Sequence, residues 1–461
     1  MPIILVLAGL AAAGWLGFMA AAGGQYALIM LAASCVVVFF AFFSPKLSLA
    51  LLIFSMMLSP EIGFGAVDAS RSLVVRYDDI FIVVIFMSWF ARTAIFKDKP
   101  FITSTPVQAP VLLYTALCIV STALGVMRGD LRWHVASLYV LKYVEYFLLF
   151  FMTVNIVESE EDVKKYLRYG FFVAVIVTLY AYYYYYASGI TSRATAPFEA
   201  PLGKPEESEP ASLGGYYLIV FGILLGIMSE SGGRAPLLAL AMFVFVFPAF
   251  LFTYSRASYM GFAAMVPAFF FFSRKRRLFT IGFLAAGVIA FLFSPNVKGR
   301  VLERITMTYR GVYATQAFEV GPAGQIKLEE SAAARVRSLR RVIFEKLPKH
   351  PVMGWGVTGV GMGDTQYAIV LGELGILGAA IFIWMLYRLF YTARVVLNSY
   401  KTPLIRALSL GFIIALIALL FQAIGVNTFI IVRIMEPFWF IAALLSVLYL
   451  KKDKSTIGDA A

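Results

Sequence analysis

GMGDTQYAIVLGELGILG, residues Gly361–Gly378, opens a long apolar run that nevertheless carries two carboxylates. Asp364 stands at the head of the run and Glu373 lies inside it. An apolar run of about 20 residues can cross a hydrocarbon layer about 30 Å thick as a helix. The stretch therefore predicts a membrane-spanning helix with an acidic side chain at one membrane surface.

Runs of this kind recur along the whole chain of 461 residues, of which 61% are hydrophobic and 14% charged, with a mean hydropathy of +0.84. A soluble protein exposes too much surface for that balance. Lipid-exposed backbone must form its hydrogen bonds within a helix or a closed barrel. The alternating polar and apolar strands of a barrel are absent from the sequence, so we expect an all-α polytopic membrane protein.

Fourteen apolar segments are predicted to span the membrane. Their approximate bounds are 3–22, 25–43, 47–60, 79–96, 107–127, 136–157, 169–187, 213–229, 236–254, 258–273, 278–294, 364–391, 405–424 and 436–450. The first segment lacks a basic leader, so we interpret it as a retained helix and not a cleaved signal. Cys35 and Cys118 fall inside spans, and neither histidine has the ligand spacing of a zinc site. We expect no metal and no cofactor.

Basic residues in short loops predict the orientation, because such loops stay on the cytoplasmic side. With fourteen spans and a cytoplasmic amino terminus, the basic clusters all fall inside. They are FKDK (96–99), KKYLR (164–168), SRKRR (273–277), RVVLNSYK (394–401) and KKDK (451–454). The same topology puts both termini in the cytoplasm and places residues 188–212, 253–258 and 295–363 outside, next to Asp364.

The chain accordingly divides into four parts. Residues 1–294 form a membrane region with the first eleven spans, 295–363 a long outer loop, 364–450 the last three spans, and 451–461 a cytoplasmic tail. The loop holds eleven Lys or Arg and five Glu, an excess of six positive charges. That excess predicts an anionic partner on the outer face.

The loop segment SAAARVRSLRRVIFEKLP (331–348) has the pattern of an amphipathic helix, capped by Ser331 and ended by Pro348. Its apolar stripe consists of Ala332, Val336, Leu339, Ile343 and Leu347. Arg337 and Arg341 lie four residues apart on another face. Two interpretations stay open: a helix on the bilayer with arginines among lipid headgroups, or an arginine clamp for a diphosphate.

Three segments in this order resemble the O-antigen ligase and O-antigen polymerase superfamily. SRATAPFEAPLG…EPASLGGYYL (192–218) is similar to its external loop and following helix, and TYSRASYMGF (253–262) to its Ser-Arg segment. The third is the arginine-bearing helix followed by HPVMGWGVTGVGMGDTQYAIVLGELGILGAAIF (350–382), with a Pro-x-x-Gly-x-Gly turn and a Glu-x-Gly-x-x-Gly ending. The resemblance covers roughly Arg193–Gly378.

The resemblance implies a GT-C-like bundle of about 12–14 transmembrane helices in the plasma (inner) membrane. It also implies metal-independent glycosyl transfer at the outer, periplasmic or extracellular, face from an undecaprenyl-diphosphate-linked oligosaccharide. By matching position, Arg256 and Arg335 would hold the donor diphosphate, with Arg337 as the alternative one register away. Asp364 would be the catalytic residue. The ligases carry a histidine there, so aspartate is more similar to the polymerase and exopolysaccharide branches.

The two carboxylates of the opening stretch also have structural interpretations. Asp364 is a favoured residue type for a helix N-cap, and as a catalytic group it would take a proton from the acceptor hydroxyl. Glu373 is expected to face the bundle interior and to form a salt bridge or hydrogen bond. Lys142 and Glu145, three residues apart in the sixth span, are expected to pair with each other.

Four arginines complete the candidate site. Arg256 either contributes to the site or reaches the headgroups as an ordinary membrane-surface arginine. Arg193, Arg341, Arg433 and Glu373 are expected to contact or support the glycan. Arg433 lies with Glu436 at the outer end of the last span, where the two either pair or line the acceptor path.

We therefore expect a glycosyltransferase that polymerises O-antigen or exopolysaccharide repeat units, with ligation to the lipid A core as the alternative. From another class, a polysaccharide flippase or other secondary transporter is the rival. Transporters are often built from internal repeats, and the sequence shows no such duplication. The expected partners are the lipid-linked oligosaccharide, membrane lipids and other polysaccharide assembly proteins, with no nucleic acid. A relative that only binds the glycan is a third possibility.

Overall fold

Helices account for most of the computed structural model, which describes residues 43–68, 71–96, 103–189, 193–199, 209–273, 275, 295–307, 316–319, 325–361 and 365–458. In chain order the described helices are α1 (Pro45–Leu58), α2 (Tyr77–Phe96), α3 (Gln108–Met127), α4 (Trp133–Ile156), α5 (Glu160–Ala187), α6 (Pro210–Glu230), α7 (Ala235–Leu251), α8 (Arg256–Phe272), α9 (Pro295–Thr306), α10 (Glu330–Arg341), α11 (Gln366–Ser399), α12 (Pro403–Gln422) and α13 (Val432–Gly458).

The predicted spans can be compared with these helices. Every predicted span that falls within the described residues coincides with a helix, including the short one at 47–60. Seven of the described helices are long and apolar enough to cross a membrane, and three shorter apolar helices accompany them. The chain is therefore an all-α polytopic membrane protein. The predicted spans 3–22 and 278–294, and nearly all of 25–43, lie outside the described residues.

Two short β-hairpins connect helices, and the sequence analysis predicted neither. Strands β1 (Glu61–Asp68) and β2 (Arg71–Arg76) pair antiparallel between α1 and α2. Strands β3 (Gln316–Glu319) and β4 (Gln325–Leu328) pair in the same way and lead into α10. Both hairpins lie in connections between helices, where the backbone must satisfy its own hydrogen bonds without a helix.

The bundle has two ends, which we call the mouth and the base. The base contains the first residues of α1, α5 and α12, and the last residues of α6. It is held by ion pairs, since Lys46 pairs with Glu158 at 2.9 Å and Arg406 with Glu230 at 2.7 Å. The described parts of the predicted cytoplasmic clusters lie at the base, whereas the compartment that it faces stays a prediction.

The mouth contains the first residues of α6, α8, α11 and α13, and the last residues of α12. Hydrogen bonds join these helix ends. The Gln366 N–H donates to the Ala423 carbonyl at 3.1 Å, and the Gln422 side chain donates to the Ala211 carbonyl at 2.9 Å. The mouth is therefore a packed surface on which residues from distant parts of the chain meet.

Helix α6 is the central helix of the bundle, because 94% of the residues in its apolar stretch are buried. It crosses α12 closely because glycines line the contact. A β-carbon on Gly226 would lie 2.9 Å from the Ala407 carbonyl carbon and 3.0 Å from the Gly411 nitrogen. Small residues let two membrane helices bring their backbones together.

We expect Gly226→Ala to destabilise the protein, because the added methyl group would force α6 and α12 apart. Overpacking of this kind costs about 1–3 kcal/mol. The measurement is the thermal midpoint of the detergent-purified protein. Gly232→Ala is the matched control, since nothing lies within 4 Å of the β-carbon that it would add. Equal midpoints for the two variants would contradict the close crossing.

Helix α11 is broken at Gly375, whose φ of 66° and ψ of −164° are not helical. The preceding loop packs into the break. The Ile376 N–H donates to the Pro351 carbonyl at 2.9 Å, and the Gly356 N–H donates to the Glu373 carbonyl at 2.8 Å. A broken membrane helix needs partners for the backbone groups that it frees. The Pro-x-x-Gly-x-Gly turn supplies them.

Helix α10 begins two residues earlier than the sequence indicated. Its N-cap residue is Glu329 and its first residue Glu330, so the prediction that Ser331 caps it was wrong. A π-helical turn, Val342–Lys346, continues the helix before the chain turns toward Pro351. The carboxylate of Glu330 in the first turn lies at the positive end of the helix dipole, where a negative charge is stabilising.

The buried face of this segment also differs from the predicted stripe. Ala333 and Val342 are buried at 0% and 2% exposure, whereas Leu339 and Ile343 of the stripe are 36% and 38% exposed. The small Ala333 allows the helix to lie close to the bundle. The larger apolar residues Leu339 and Ile343 are left partly exposed.

Candidate functional site

Arg256 lies at the mouth because it is the first residue of α8. The Ser255 hydroxyl accepts the Ser258 N–H at 3.3 Å and caps the helix. The guanidinium of Arg256 forms an ion pair with Glu329, the residue just before α10. About a quarter of each side chain is exposed, at 25% and 22%. This ion pair ties the long loop to the bundle at the predicted diphosphate-binding residue.

Arg335 reaches the same place from the second turn of α10. Its Nε donates to the Gly425 carbonyl at 2.7 Å, in the turn between α12 and α13. A β-carbon on Gly425 would lie 3.0 Å from that of Ala257, the neighbour of Arg256. Arg256 and Arg335 therefore border one turn of backbone, although they are far apart in the sequence.

The two other predicted arginines of α10 lie elsewhere. Arg337 pairs with Glu330 at 2.5 Å on the outer side of the helix, where its side chain is 45% exposed. Arg341 is exposed as well. Because α10 presents Arg335 to the bundle and these two residues to its outer side, the structure brings Arg335 to the mouth and does not bring Arg337 or Arg341 there.

Asp364 lies outside the described residues, and the residues that follow it form the head of α11. Thr365 is the N-cap of α11 and accepts the Ala368 N–H at 3.3 Å. The Gln366 Oε1 accepts the Phe429 N–H at 2.9 Å. The cap position thus belongs to Thr365, and the head of α11 lies against the same α12–α13 turn that Arg335 contacts.

Arg300 is a further cation near Arg256, and the sequence analysis did not single it out. It lies in α9, where it donates to the Tyr185 hydroxyl at 2.7 Å and stacks 4.6 Å from the centre of the Tyr254 ring. Arg193 is also near, since the N–H of the following Ala194 donates to the Phe252 carbonyl at 2.8 Å. The contact of Arg300 with two tyrosines could not be predicted from the sequence, because Tyr185 and Tyr254 lie far from it in the chain.

Glu199 and Arg433 form the inner side of the mouth. Arg433 is 2% exposed and donates to the Met57 carbonyl at 3.2 Å, at the end of α1. Glu199 accepts hydrogen bonds from Thr195 and from Ser212. The residue as a whole is partly exposed, whereas its carboxyl group is enclosed by protein. The sequence signal that could have identified it is an acid flanked by Pro197 and Pro201.

The stability of the protein is expected to depend on pH through Glu199. Burial raises the pKa of its carboxyl above the ordinary value of 4.5, while Arg433 and the hydrogen bonds act in the opposite direction. The native state then holds this proton to higher pH than the unfolded state, so stability falls as pH rises from about 4.5.

The measurement for Glu199 is a comparison of thermal midpoints between the native protein and Glu199→Gln across that pH range. Glutamine cannot ionise, so the native protein is expected to lose stability relative to the variant as pH rises. A difference between the two proteins that stays constant with pH would contradict the prediction.

Glu373 has the structural role that the sequence favoured. It is 5% exposed, and its Oε1 accepts the Thr358 N–H at 2.6 Å. The Ser121 hydroxyl donates to its carbonyl at 2.9 Å, which joins α3 to the break in α11. Glu373 therefore supports the turn below the mouth, and the expected hydrogen bond is confirmed.

Lys142 and Glu145 pair at 3.4 Å, as predicted, but they belong to a larger buried group. Lys142 also pairs with Asp79 of α2. Asp78, the residue before Asp79, lies near Glu436 of α13. The two carboxylates are close enough to share one ion. The pair of aspartates gave no signal in the sequence, because the predicted span began at residue 79 and left Asp78 outside it.

The mouth thus combines at least two arginines from separate segments with a glycine-containing turn and the head of α11. This arrangement can bind an anion, because guanidinium groups match phosphate oxygens in geometry and charge. No model of a known protein family matches the chain, and no curated protein matches it. The resemblance to the O-antigen ligase and polymerase superfamily therefore remains a proposal.

Proposed function

We propose that this chain is a membrane glycosyltransferase that extends a glycan at the mouth of its helix bundle, using an undecaprenyl-diphosphate-linked oligosaccharide as donor. One observation carries the proposal. Arg256 and Arg335, the two residues that the resemblance assigned to the diphosphate, both border the turn at Gly425. The two arginines are 79 residues apart in the sequence, and the pattern of apolar segments did not predict that they would lie beside the same turn.

The chemistry follows from what such a transfer needs. The diphosphate leaving group gains negative charge as its bond to the sugar breaks, and fixed cations stabilise that charge. The acceptor hydroxyl must lose a proton to a nearby base. Asp364 would be that base, since Thr365 and Gln366 hold the head of α11 beside the turn at Gly425.

Polymerisation is favoured over ligation because an aspartate stands where the ligases of the resembled superfamily carry a histidine. The mouth would then face the periplasm or the cell exterior, and the base would face the cytoplasm. Repeat units would be added to another lipid-linked unit. Ligation would instead join the glycan to the lipid A core.

A transporter is the second candidate, and the break in α11 is the observation that favours it. Secondary transporters use broken helices to bind substrates within the membrane. Here, however, the turn at Pro351–Gly356 satisfies backbone groups at the break. A break that is closed by the protein itself supports a fixed scaffold more than a binding site.

The test is extension of lipid-linked repeat units by the purified protein. The native protein is expected to produce a ladder of products on the lipid diphosphate, and Asp364→Ala and Arg256→Ala to produce none. Arg340→Ala is the control, because Arg340 is an exposed residue of α10.

One added glycan on lipid A core would indicate ligation. Ladders from both site variants would remove the assignment, and lipid-linked glycan crossing vesicle membranes without extension would favour the transporter.

Glu329 competes with the donor for Arg256 in this proposal. We expect Glu329→Gln to lower the KM for the donor about two- to fivefold, the equivalent of losing a partly exposed ion pair worth about 0.4–1 kcal/mol. The turnover number should change less, because Glu329 makes no contact with the reacting atoms in the proposal. Initial rates against donor concentration measure both constants. An increase in KM would show that Glu329 helps the donor to bind.

A further inference from the structure

Four buried carboxylates lie together beside the first turns of α2 and α13. Their exposed fractions are small, at 0% for Asp78, 9% for Asp79, 7% for Glu145 and 0% for Glu436. Ionised carboxylates are costly to bury unless cations or hydrogen-bond donors surround them. The group therefore needs a source of positive charge.

The protein supplies part of that charge. Arg76 pairs with Asp78 at 2.5 Å, and Lys142 pairs with Asp79 and with Glu145. Among the described residues, these two cations face four carboxylates, so the ionised group keeps two negative charges.

Arg433, which precedes Glu436 by three residues on α13, has its partners elsewhere and is not counted as a cation of this group. Arg433 lies less than one turn before Glu436, and it donates to the Met57 carbonyl at the end of α1. Its charge also acts on Glu199, in the loop before α6. Arg433 thus serves the inner side of the mouth.

Several carboxylate oxygens of the group accept no hydrogen bond from the described protein. They are both oxygens of Glu436, Oδ1 of Asp79 and Oε1 of Glu145. Glu436 is fully buried, and its carboxyl lies within hydrogen-bonding distance of the Asp78 carboxyl. Two ionised carboxylates have no hydrogen to donate, so a pair this close needs either one shared proton or one shared cation.

The spacing fits one metal ion. Asp78, Asp79 and Glu436 each offer an oxygen, and the three oxygens lie within 4.8 Å of one another. Two oxygens that bind one calcium ion at 2.3–2.6 Å are at most about 5 Å apart. The donors are all oxygens, which selects a hard cation over zinc or copper.

We infer that Asp78, Asp79 and Glu436 bind a divalent cation of the calcium class, with Glu145 as a neighbouring acceptor. The two positive charges of the ion balance the two negative charges that Arg76 and Lys142 leave over. Calcium accepts several carboxylate oxygens, whereas magnesium keeps most of its water and usually takes one or two carboxylates. The ion joins α2 to α13 beside the mouth. The inference does not rest on the proposed glycosyl transfer, and it departs from the expectation that the chain binds no metal.

The test uses the purified full-length protein in detergent, first freed of metals with EDTA. Equilibrium dialysis with radioactive calcium, up to about 1 mM, measures binding directly. The thermal midpoint is measured over the same range. We expect saturable binding of one ion per chain, a rise in the midpoint, and a much weaker response to magnesium or sodium.

Two isosteric variants and one control locate the site. Glu436→Gln and Asp79→Asn are expected to weaken calcium binding at least tenfold. Glu230→Gln is the control, because Glu230 is a buried carboxylate at the base, 6% exposed and paired with Arg406. It should keep native affinity. If Glu436→Gln or Asp79→Asn does not fold, the binding measured on the native protein still decides the proposal.

Three results would overturn the inference. The first is the absence of calcium binding by the native protein at these concentrations. The second is native affinity in Glu436→Gln. The third is a rise in the midpoint of Glu436→Gln together with a native protein that is indifferent to calcium, since the group would then hold protons in place of a metal.

Discussion

Replacing Arg335 with alanine is expected to lower the rate of glycan transfer about 10²–10³-fold, the loss that follows removal of one fixed group that stabilises a developing negative charge. The guanidinium is held by the Gly425 carbonyl at 2.7 Å, so its position is set before a donor binds. The effect should fall mainly on the turnover number, because the charge on the diphosphate grows as the sugar leaves. Single-turnover and steady-state rates with the lipid-linked donor measure it.

The control for Arg335→Ala lies on the same helix. Arg340→Ala removes an exposed guanidinium that contributes equally to the net charge, and it should keep a near-native rate. Arg335→Lys preserves the charge but loses the planar fork, so an intermediate rate is expected. Equal rates for all three variants would show that Arg335 only anchors α10 to the bundle. A lower thermal midpoint in Arg335→Ala alone would point the same way.

Replacing Gly375 with alanine is expected to destabilise the protein by about 3 kcal/mol or more. Two effects add together. The φ of 66° is a conformation that residues with a β-carbon rarely adopt. The added carbon would also lie 2.5 Å from the Val352 carbonyl carbon and 2.7 Å from the Pro351 oxygen. The turn would have to leave the break in α11, and the backbone groups freed there would lose their partners.

Thermal midpoints and the yield of folded protein measure the effect of Gly375→Ala. Gly170→Ala, in α5, is the matched control, because nothing lies within 4 Å of its added carbon and alanine favours a helix. It should be neutral or slightly stabilising. A Gly375→Ala protein with a native midpoint would mean that α11 can straighten without loss, and that the turn is not needed to close the break.

The spans were predictable because hydropathy is a local property. A run such as Leu213–Met228 is apolar whatever surrounds it, and a membrane selects a helix for any such run. Lys142 and Glu145 were equally predictable, since a helix places residues three apart on one face. The hydrogen bond of Glu373 followed from the same reasoning, because an acid inside a membrane helix needs a polar partner.

Boundaries and hairpins were less predictable. Helix α5 begins at Glu160, nine residues before the predicted span, because Ser159 and Asp162 form a reciprocal cap at its start. The sequence contained that signal, but hydropathy alone ignores polar first turns. The β1–β2 hairpin was missed because strands of eight and six residues give no hydropathy signal of a span, although the polar run from Asp68 to Ser72 in the sequence is typical of a turn.

The sequence by itself determined the helical membrane fold, the approximate spans, an arginine at the start of α8, and the arginines and the acid that precede α11. Only the tertiary structure decided that Arg335, and not Arg337, meets the mouth, and that Asp78 and Asp79 lie beside Glu436. The reason is physical. Hydropathy and helical spacing act between neighbours in the chain, whereas the direction of a side chain and its distant partners depend on how whole helices pack. Packing is settled by the close fit of many contacts at once, such as the glycines between α6 and α12.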